Sequence, residues 1–231
     1  MYSSAAHYRD IKPVPEQFKN WKEDNLLIEY SDWIFEHSNC PSLKLDISVP
    51  VNDIWKEASA NFKHFVKHRD FEGNIGWKSA TIHGIDVQYT NSWSYYGFAT
   101  EPLYNWTSMA DLCPKTKAWL SNFPCTEFQR IRFMLLEPGG VIAEHKDNNH
   151  RALDAINIAI TNPVGCDFKI EDANVIPWKP GDVRLIDIGR THSVVNDSDY
   201  PRLHIIIHGW WGKDLKIKAC EAYDKLSGLY F

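Results

Sequence analysis

The segment QRIRFMLLEPGGVIAEHKD, residues 129–147, contains the pattern that decides the fold. Apolar and polar residues alternate through its first half, which predicts a strand, and Pro138-Gly139-Gly140 predicts a turn to a second strand, VIAEHKD. Further short apolar runs follow, with Gly-, Pro- and Asn-containing turns between them: AINIAIT at 155–161, CDFKIE at 166–171, GDVRLIDI at 181–188 and PRLHIIIHGWW at 201–211. Many short strands of this kind predict a β-sandwich or barrel.

Mixed patterns surround this strand-rich part. A helix is predicted from Pro50 onward, because Ile54, Ala58 and Phe62 recur at helical spacing. Residues 75–100 predict short strands and loops, and residues 108–122 predict a helix in which Pro114 marks the first turn or a break. The chain shows no repeats, low-complexity tracts or linkers. We therefore expect a single domain, residues 1–231, made of a mixed region (1–127) packed on a barrel, the core strands (128–211) and a C-terminal helix (212–231).

Composition excludes several classes of protein. The formal net charge of −5 over 231 residues argues against nucleic acid as a partner, since such proteins usually present a basic surface. The five cysteines are scattered and form no CxxC pair, which favours a reducing compartment. No apolar leader and no apolar run of roughly 18–20 residues is found. We expect a cytoplasmic protein without a membrane partner.

Two residues near the end of VIAEHKD carry the clearest chemical signal. On a strand, His145 and Asp147 point to the same side, so both can face the inside of a barrel. An imidazole and a carboxylate form two-thirds of the two-histidine, one-carboxylate triad that holds non-haem Fe(II). His192, which follows the strand GDVRLIDI, is the candidate third ligand. Arg202 lies ten positions further on and could clamp the carboxylate of an organic acid bound at the metal.

The spacing of these residues resembles that of the Fe(II)/2-oxoglutarate dioxygenases. The wider frame LLEPGGVIAEHKD … NIAITNP … PGDVRLIDIGRTHSVVNDSDYPRLHIII resembles the aspartyl/asparaginyl β-hydroxylase family of the cupin superfamily, over roughly residues 128–211. The resemblance implies a mainly β fold with flanking helices, a double-stranded β-helix or cupin-like jelly roll. It also implies Fe(II) on His145, Asp147 and His192, 2-oxoglutarate with its distal carboxylate on Arg202, O2 as a co-substrate, and ascorbate as a reductant in vitro.

The chain departs from this family at one place. The family commonly has an Arg-x-His pair on the strand after HxD, and here the corresponding stretch reads Ala155-Ile156-Asn157. Asn157 can still donate a hydrogen bond, so it is the candidate contact for the other end of 2-oxoglutarate. His204 shares a strand face with Arg202 and is a candidate to support the cosubstrate.

Candidate substrate residues remain open to two interpretations. Arg130 and Arg132 share one strand face, which either points into the barrel toward substrate or lies on an edge strand with solvated arginines. Trp93, in the aromatic run Trp93–Phe98, either contacts substrate or packs at the rim.

We interpret the chain as an oxidoreductase, a 2-oxoglutarate-dependent hydroxylase that acts on a C–H bond and releases succinate and CO2. Its product is expected to be a hydroxylated amino acid or amino-acid derivative, with a small-molecule substrate favoured over a peptide. The alternatives are a peptidyl Asp/Asn-type β-hydroxylase and, in another class, a non-catalytic metal-binding cupin. Only the oxygenase interpretations require Arg202.

Overall fold

The computed structural model of the protein describes Tyr8, residues 10–69, 73–147, 153 and 155–228. Within these ranges the chain forms five α-helices and eleven β-strands. The helices are α1 (Leu27–His37), α2 (Val51–Ala60), α3 (Ser108–Leu112), α4 (Pro114–Leu120) and α5 (Lys213–Ser227). The strands are β1 (Ser42–Leu45), β2 (Val66–Lys67), β3 (Ile75–Gly84), β4 (Asn105–Trp106), β5 (Cys125–His145), β6 (Ala155–Thr161), β7 (Cys166–Ile170), β8 (Asn174–Val175), β9 (Val183–Ile186), β10 (His192–Asn196) and β11 (Arg202–Trp211).

The strands form one curled antiparallel sheet. Its main path runs β1-β9-β6-β11-β5-β10-β7-β8, and β3 pairs with β5 outside that path. The apolar side chains of β6 and β9 and of the middle of β5 and β11 are buried, as expected for strands covered on both faces, whereas Trp210 near the end of β11 is exposed. This curled sheet with helices on its flanks is the predicted jelly roll, so the fold class is confirmed.

Strand β5 connects the two layers of the jelly roll. Its first part pairs with β11 up to Leu136, opposite Arg202, and its last part pairs with β10 from Val141 onward. The predicted turn at Pro138-Gly139-Gly140 is therefore wrong, because β5 continues through it and changes partners there. Gly139 has φ +70, and a Cβ on Gly140 would lie 2.7 Å from the Glu137 carbonyl oxygen. Glycine thus permits a bend within one strand, where two strands were expected.

The helices flank the sheet and include the predicted ones. The helix expected after Pro50 is α2, and Pro114 opens α4 directly after α3, so the proline both breaks the predicted helix and begins a new one. Glu57 of α2 accepts hydrogen bonds from the backbone N–H groups of Lys115 and Thr116 at the start of α4 (2.8 and 2.9 Å), which satisfies two free donors of that helix. The C-terminal helix is α5, which packs against α1. None of the helices in the described ranges has the length and apolar character needed to cross a membrane.

The region before β5 contains a central strand that the sequence did not indicate. Residues 75–100 were expected to form short strands and loops, but β3 is ten residues long and pairs with β5 along most of its length. As a result β5 has neighbours on both sides, β3 and β11, and is not an edge strand. The division of the chain into one domain with the predicted boundaries stays a prediction.

Candidate metal and cosubstrate site

Three predicted ligands meet at one end of the curled sheet. His145 ends β5 and His192 begins β10, and the two residues are direct cross-strand partners. Asp147 follows two residues after His145, and its backbone N–H donates to the Ile188 carbonyl oxygen at 2.9 Å. One ligand atom from each of His145, Asp147 and His192 lies within 4.8 Å of the others. This spacing can hold one metal ion between two imidazoles and a carboxylate.

The two imidazoles are oriented for coordination through Nε2. Nδ1 of His145 lies 2.7 Å from the Ala143 carbonyl oxygen, and Nδ1 of His192 lies 2.9 Å from the Arg190 carbonyl oxygen. A carbonyl oxygen only accepts, so each Nδ1 carries the proton and each Nε2 keeps a free lone pair. Both Nε2 atoms face Asp147, at 3.8 Å for His145 and 4.0 Å for His192. The backbone of two strands thus selects the tautomer that a metal requires.

Asp147 is kept ionised by its surroundings. Burial raises the pKa of this carboxyl, but the positive charge of Arg69 and the two imidazoles outweighs burial, so the pKa lies below its usual value. Arg69 Nη1 donates to Asp147 Oδ1 at 3.0 Å. Burial is also the main reason that the pKa of His192 is lowered, which favours the neutral imidazole. Asp147 and His192 are therefore in the protonation states of metal ligands near neutral pH.

A cavity of about 70 Å³ extends from these ligands toward Arg202 on β11. Apolar side chains form much of its wall: Trp77, Met134, Ile142, Phe168, Ile188, Val194 and Ile206. Arg202 is buried, its Nε has no hydrogen-bond partner, and no carboxylate among the described residues forms an ion pair with it. Burial lowers the pKa of Arg202 to about 10. A guanidinium in such a position requires an anion, and the cavity leads to it from the metal ligands.

Asn157 and His204 lie beside Arg202. His204 Nδ1 is 3.0 Å from Arg202 Nη2 and 2.7 Å from Asn157 Oδ1. When Nδ1 carries the proton it donates to Asn157 Oδ1, and when it does not it accepts from the guanidinium, so the Asn157 NH2 stays free to donate elsewhere. Burial lowers the pKa of His204 well below its usual value, which keeps the ring neutral. His204 thus orients Arg202, and Asn157 itself lines the cavity.

The two predicted substrate arginines face inward. Arg132 lines the cavity, and both Arg130 and Arg132 line a larger open groove of about 750 Å³ outside it. Since β5 is paired on both sides, the interpretation of an edge strand with solvated arginines is wrong. Trp93 lines neither space, whereas its neighbours Ser92 and Ser94 line the groove. The substrate role of all three residues stays a prediction.

Sequence reasoning missed several residues of this site. Arg69 and His68 come from the segment before β3, and Thr90 from the segment after it. His68 Nδ1 lies 2.9 Å from Thr90 Oγ1, and both groups are buried. His208 of β11 lines both the cavity and the groove. The only available signal was for His208, which shares the face of Arg202 and His204 by the two-residue repeat of a strand.

The chain matches one family model and is similar to several solved structures. Residues 50–211 match the family model described as aspartyl/asparaginyl beta-hydroxylase. No curated protein matches the chain. Among solved structures, a Pseudomonas putida prolyl-4-hydroxylase has 13% identity and a TM-score of 0.44 over 80% of this chain and 100% of that one. A 2OG-Fe(II) oxygenase family protein from Burkholderia pseudomallei has 12% identity and a TM-score of 0.46 over 79% and 88%. A Trichoplax adhaerens prolyl hydroxylase, solved in complex with a hypoxia inducible factor peptide fragment, has 14% identity and a TM-score of 0.46 over 88% and 96%.

The expected preference for a small-molecule substrate over a peptide is wrong. The matched family is described by aspartyl and asparaginyl hydroxylation, and these names denote residues within a peptide chain. The groove itself was not readable from sequence, because its walls come from segments far apart in the chain.

Proposed function

This chain belongs to the aspartyl/asparaginyl β-hydroxylase family of 2-oxoglutarate-dependent oxygenases, and on that premise we propose that it hydroxylates a side chain of a peptide substrate. In this proposal Fe(II) is held by His145, Asp147 and His192, and Arg202 binds the distal carboxylate of 2-oxoglutarate. The single observation that carries the proposal is one apolar cavity that joins a three-ligand metal site to an unneutralised buried guanidinium.

The donor set fits ferrous iron. Two neutral imidazoles and one carboxylate on one side of an ion leave open positions for a chelating cosubstrate and O2. When bound, iron and 2-oxoglutarate supply the oxidising chemistry, in which O2 and 2-oxoglutarate are consumed, succinate and CO2 are released, and a substrate C–H becomes C–OH. Backbone hydrogen bonds of Ala143 and Arg190 keep the His145 and His192 rings fixed throughout.

Arg202 and its neighbours fit the far end of 2-oxoglutarate. The guanidinium of Arg202 lines the cavity and can donate its Nη–H groups to a carboxylate. His204 holds the guanidinium through Nη2, so that little rotamer freedom is lost on binding. We propose that Asn157 donates to the carboxylate next to the keto group, in place of the Arg-x-His pair found elsewhere in the family.

The remaining protein groups exclude water and direct the substrate. Phe168 stacks against the His192 ring with the ring planes 6° apart, and Ile188 covers the site on the Asp147 side. Such apolar walls protect a reactive centre from bulk water. On the open side, His145 and Asp147 line the floor of the large groove. An open groove accommodates an extended peptide from which one side chain enters the cavity, which supports a peptidyl substrate.

The family assignment decides against a non-catalytic metal-binding cupin, and the buried Arg202 agrees with it. A structural metal site requires no anion-binding arginine at the end of its cavity. The prediction of an enzyme is thereby confirmed at the level of the class, a 2-oxoglutarate-dependent hydroxylase.

The proposal is tested by turnover with peptide pools. Purified protein, Fe(II), ascorbate and 2-oxoglutarate are incubated with random-flank peptides that carry a fixed central Asp, Asn or Pro. We expect succinate release to rise with at least one pool, and mass spectrometry to locate one added oxygen atom on the central residue. His192→Ala should abolish both signals, whereas Ser193→Ala, the neighbour on the same strand, should keep them. Succinate release without oxygen on any pool would refute the peptide assignment.

A further inference from the structure

We infer that Arg132 binds the side-chain carboxylate of the residue to be hydroxylated and thereby selects aspartyl over asparaginyl peptides. The inference rests on the proposed function and narrows it from a peptide side chain to an anionic one. It assigns to Arg132 a role separate from that of Arg202, which binds the cosubstrate.

Arg132 lies where the groove opens into the cavity. Among the residues that the structure describes, six line both spaces: Arg69, Arg132, His145, Asp147, Ile188 and His208. His145 and Asp147 are metal ligands in our proposal, and Arg69 is hydrogen-bonded to Asp147. A side chain that passes from the groove toward the metal therefore passes the guanidinium of Arg132.

The guanidinium of Arg132 is buried and has no anionic partner in the part of the chain that the structure describes. Nη1 of Arg132 donates to the Thr90 carbonyl oxygen, and Nη2 lies 3.1 Å from His208 Nε2. Both partners are neutral, since burial lowers the pKa of His208 well below its usual value. Arg132 Nε has no hydrogen-bond partner, and no carboxylate of the described residues forms an ion pair with Arg132 or Arg130. A paired or ligated anion is the usual reason for burying such a charge.

The cosubstrate does not account for this charge. Arg202 takes the distal carboxylate of 2-oxoglutarate in our proposal and does not line the groove, whereas Arg132 faces both the groove and the cavity. The charges of Fe(II), Asp147, 2-oxoglutarate and Arg202 would sum to zero, so none of these groups would neutralise Arg132, Arg130 or Arg69. Arg130 lines the groove but not the cavity, which makes it a suitable control.

Thr90 and His208 hold the guanidinium from two sides. The two contacts fix its plane, while the remaining Nη–H groups can donate to a carboxylate oxygen. An asparaginyl amide can use the same position only through its carbonyl oxygen, without the charge. A charge-assisted hydrogen bond is stronger than a neutral one, which gives roughly 10- to 100-fold preference for the acid.

The test is the ratio of kcat/KM for peptide pools with a central Asp and a central Asn, measured by oxygen incorporation. In the natural protein we expect this ratio to be roughly 10 to 100. Arg132→Gln should reduce the ratio to about 1, chiefly through a higher KM for the Asp pool, and Arg132→Lys should restore part of it. Arg130→Gln should change the ratio less than Arg132→Gln does.

Two further measurements separate the possible failures. Thermal unfolding with and without 2-oxoglutarate reports whether each variant is folded and holds its cosubstrate. If Arg132→Gln lowers turnover of both pools equally, Arg132 has a structural role and the inference is overturned. If the natural protein oxidises only the Asn or the Pro pool, the inference fails while the proposed function stands. If no pool gains oxygen, both fail.

Discussion

Replacement of Arg202 by methionine tests whether this arginine binds the cosubstrate or supports the fold. We expect weaker binding of 2-oxoglutarate and no loss in the free energy of unfolding. Methionine fills a similar volume without the charge. Removing one partner of a buried, hydrogen-bonded charge pair costs about 2–5 kcal/mol of binding free energy. We therefore expect the Kd for 2-oxoglutarate to rise on the order of 30-fold to 1,000-fold or more.

The free protein should not lose stability. Arg202 has His204 as its hydrogen-bond partner and no described carboxylate as an ion-pair partner, so the folded state carries an uncompensated buried charge. Replacing such a charge by an apolar side chain is often neutral or stabilising by about 1–4 kcal/mol. Arg184→Met is the matched control, since Arg184 is equally buried but pairs with Asp182 at 3.4 Å. It should lower stability and leave cosubstrate affinity unchanged.

Thermal unfolding under anaerobic conditions with Fe(II) measures both effects. At a 2-oxoglutarate concentration of 100 Kd, the natural protein should gain about 2.7 kcal/mol, a rise in Tm of roughly 5–10 °C. A 100-fold weaker Arg202→Met variant should gain only about 0.4 kcal/mol at that concentration. A variant that loses Tm without ligand yet keeps the full 2-oxoglutarate shift would refute the reasoning, because Arg202 would then be a structural residue.

Two further predictions concern stability. Burial lowers the pKa of both His204 and His208 in the folded protein, so the unfolded chain binds more protons in acid, and stability should fall below about pH 6.5 with a slope approaching 1.4 kcal/mol per pH unit for each histidine. Urea unfolding from pH 7.5 to 5 measures this, and a slope that His208→Asn leaves unchanged would contradict it. Gly209→Ala should destabilise the protein by about 1–3 kcal/mol, because its Cβ would lie 2.3 Å from the Glu127 carbonyl oxygen across a β-bulge. Gly228→Ala, whose Cβ meets only ordinary contacts, is the control in the same thermal unfolding assay; equal Tm values for the two variants would refute the clash.

The metal site could be predicted from sequence because it depends on local rules. The two-residue repeat of a strand predicted that His145 and Asp147 lie on the same side. His192 could be predicted because it follows shortly after a recognisable core strand, residues 181–188. Arg202 and His204 follow from the same rule on β11. Each of these residues lies in or beside a regular strand whose pattern is visible without knowledge of its neighbours.

The remaining parts of the site depend on contacts that local patterns do not encode. Arg69 has a positive φ of 50° in an irregular segment, and it reaches Asp147 across 78 positions of sequence. The inward direction of Arg132 follows only from the pairing of β5 with both β3 and β11. Pro138-Gly139-Gly140 has the composition of a turn, yet the pairing of β5 with two partners makes it a bend within one strand. Tertiary pairing outweighed the local signal in each case.

The most direct test of the site is the number of ferrous ions bound per chain, measured by anaerobic equilibrium dialysis of metal-free protein. We predict one ion for the natural protein, and binding weakened by roughly 100-fold or more for His145→Ala and for Asp147→Ala. Lys146→Ala, which changes the residue between the two ligands, should bind iron as the natural protein does. Undiminished iron binding by either ligand variant would contradict the assignment of the metal site.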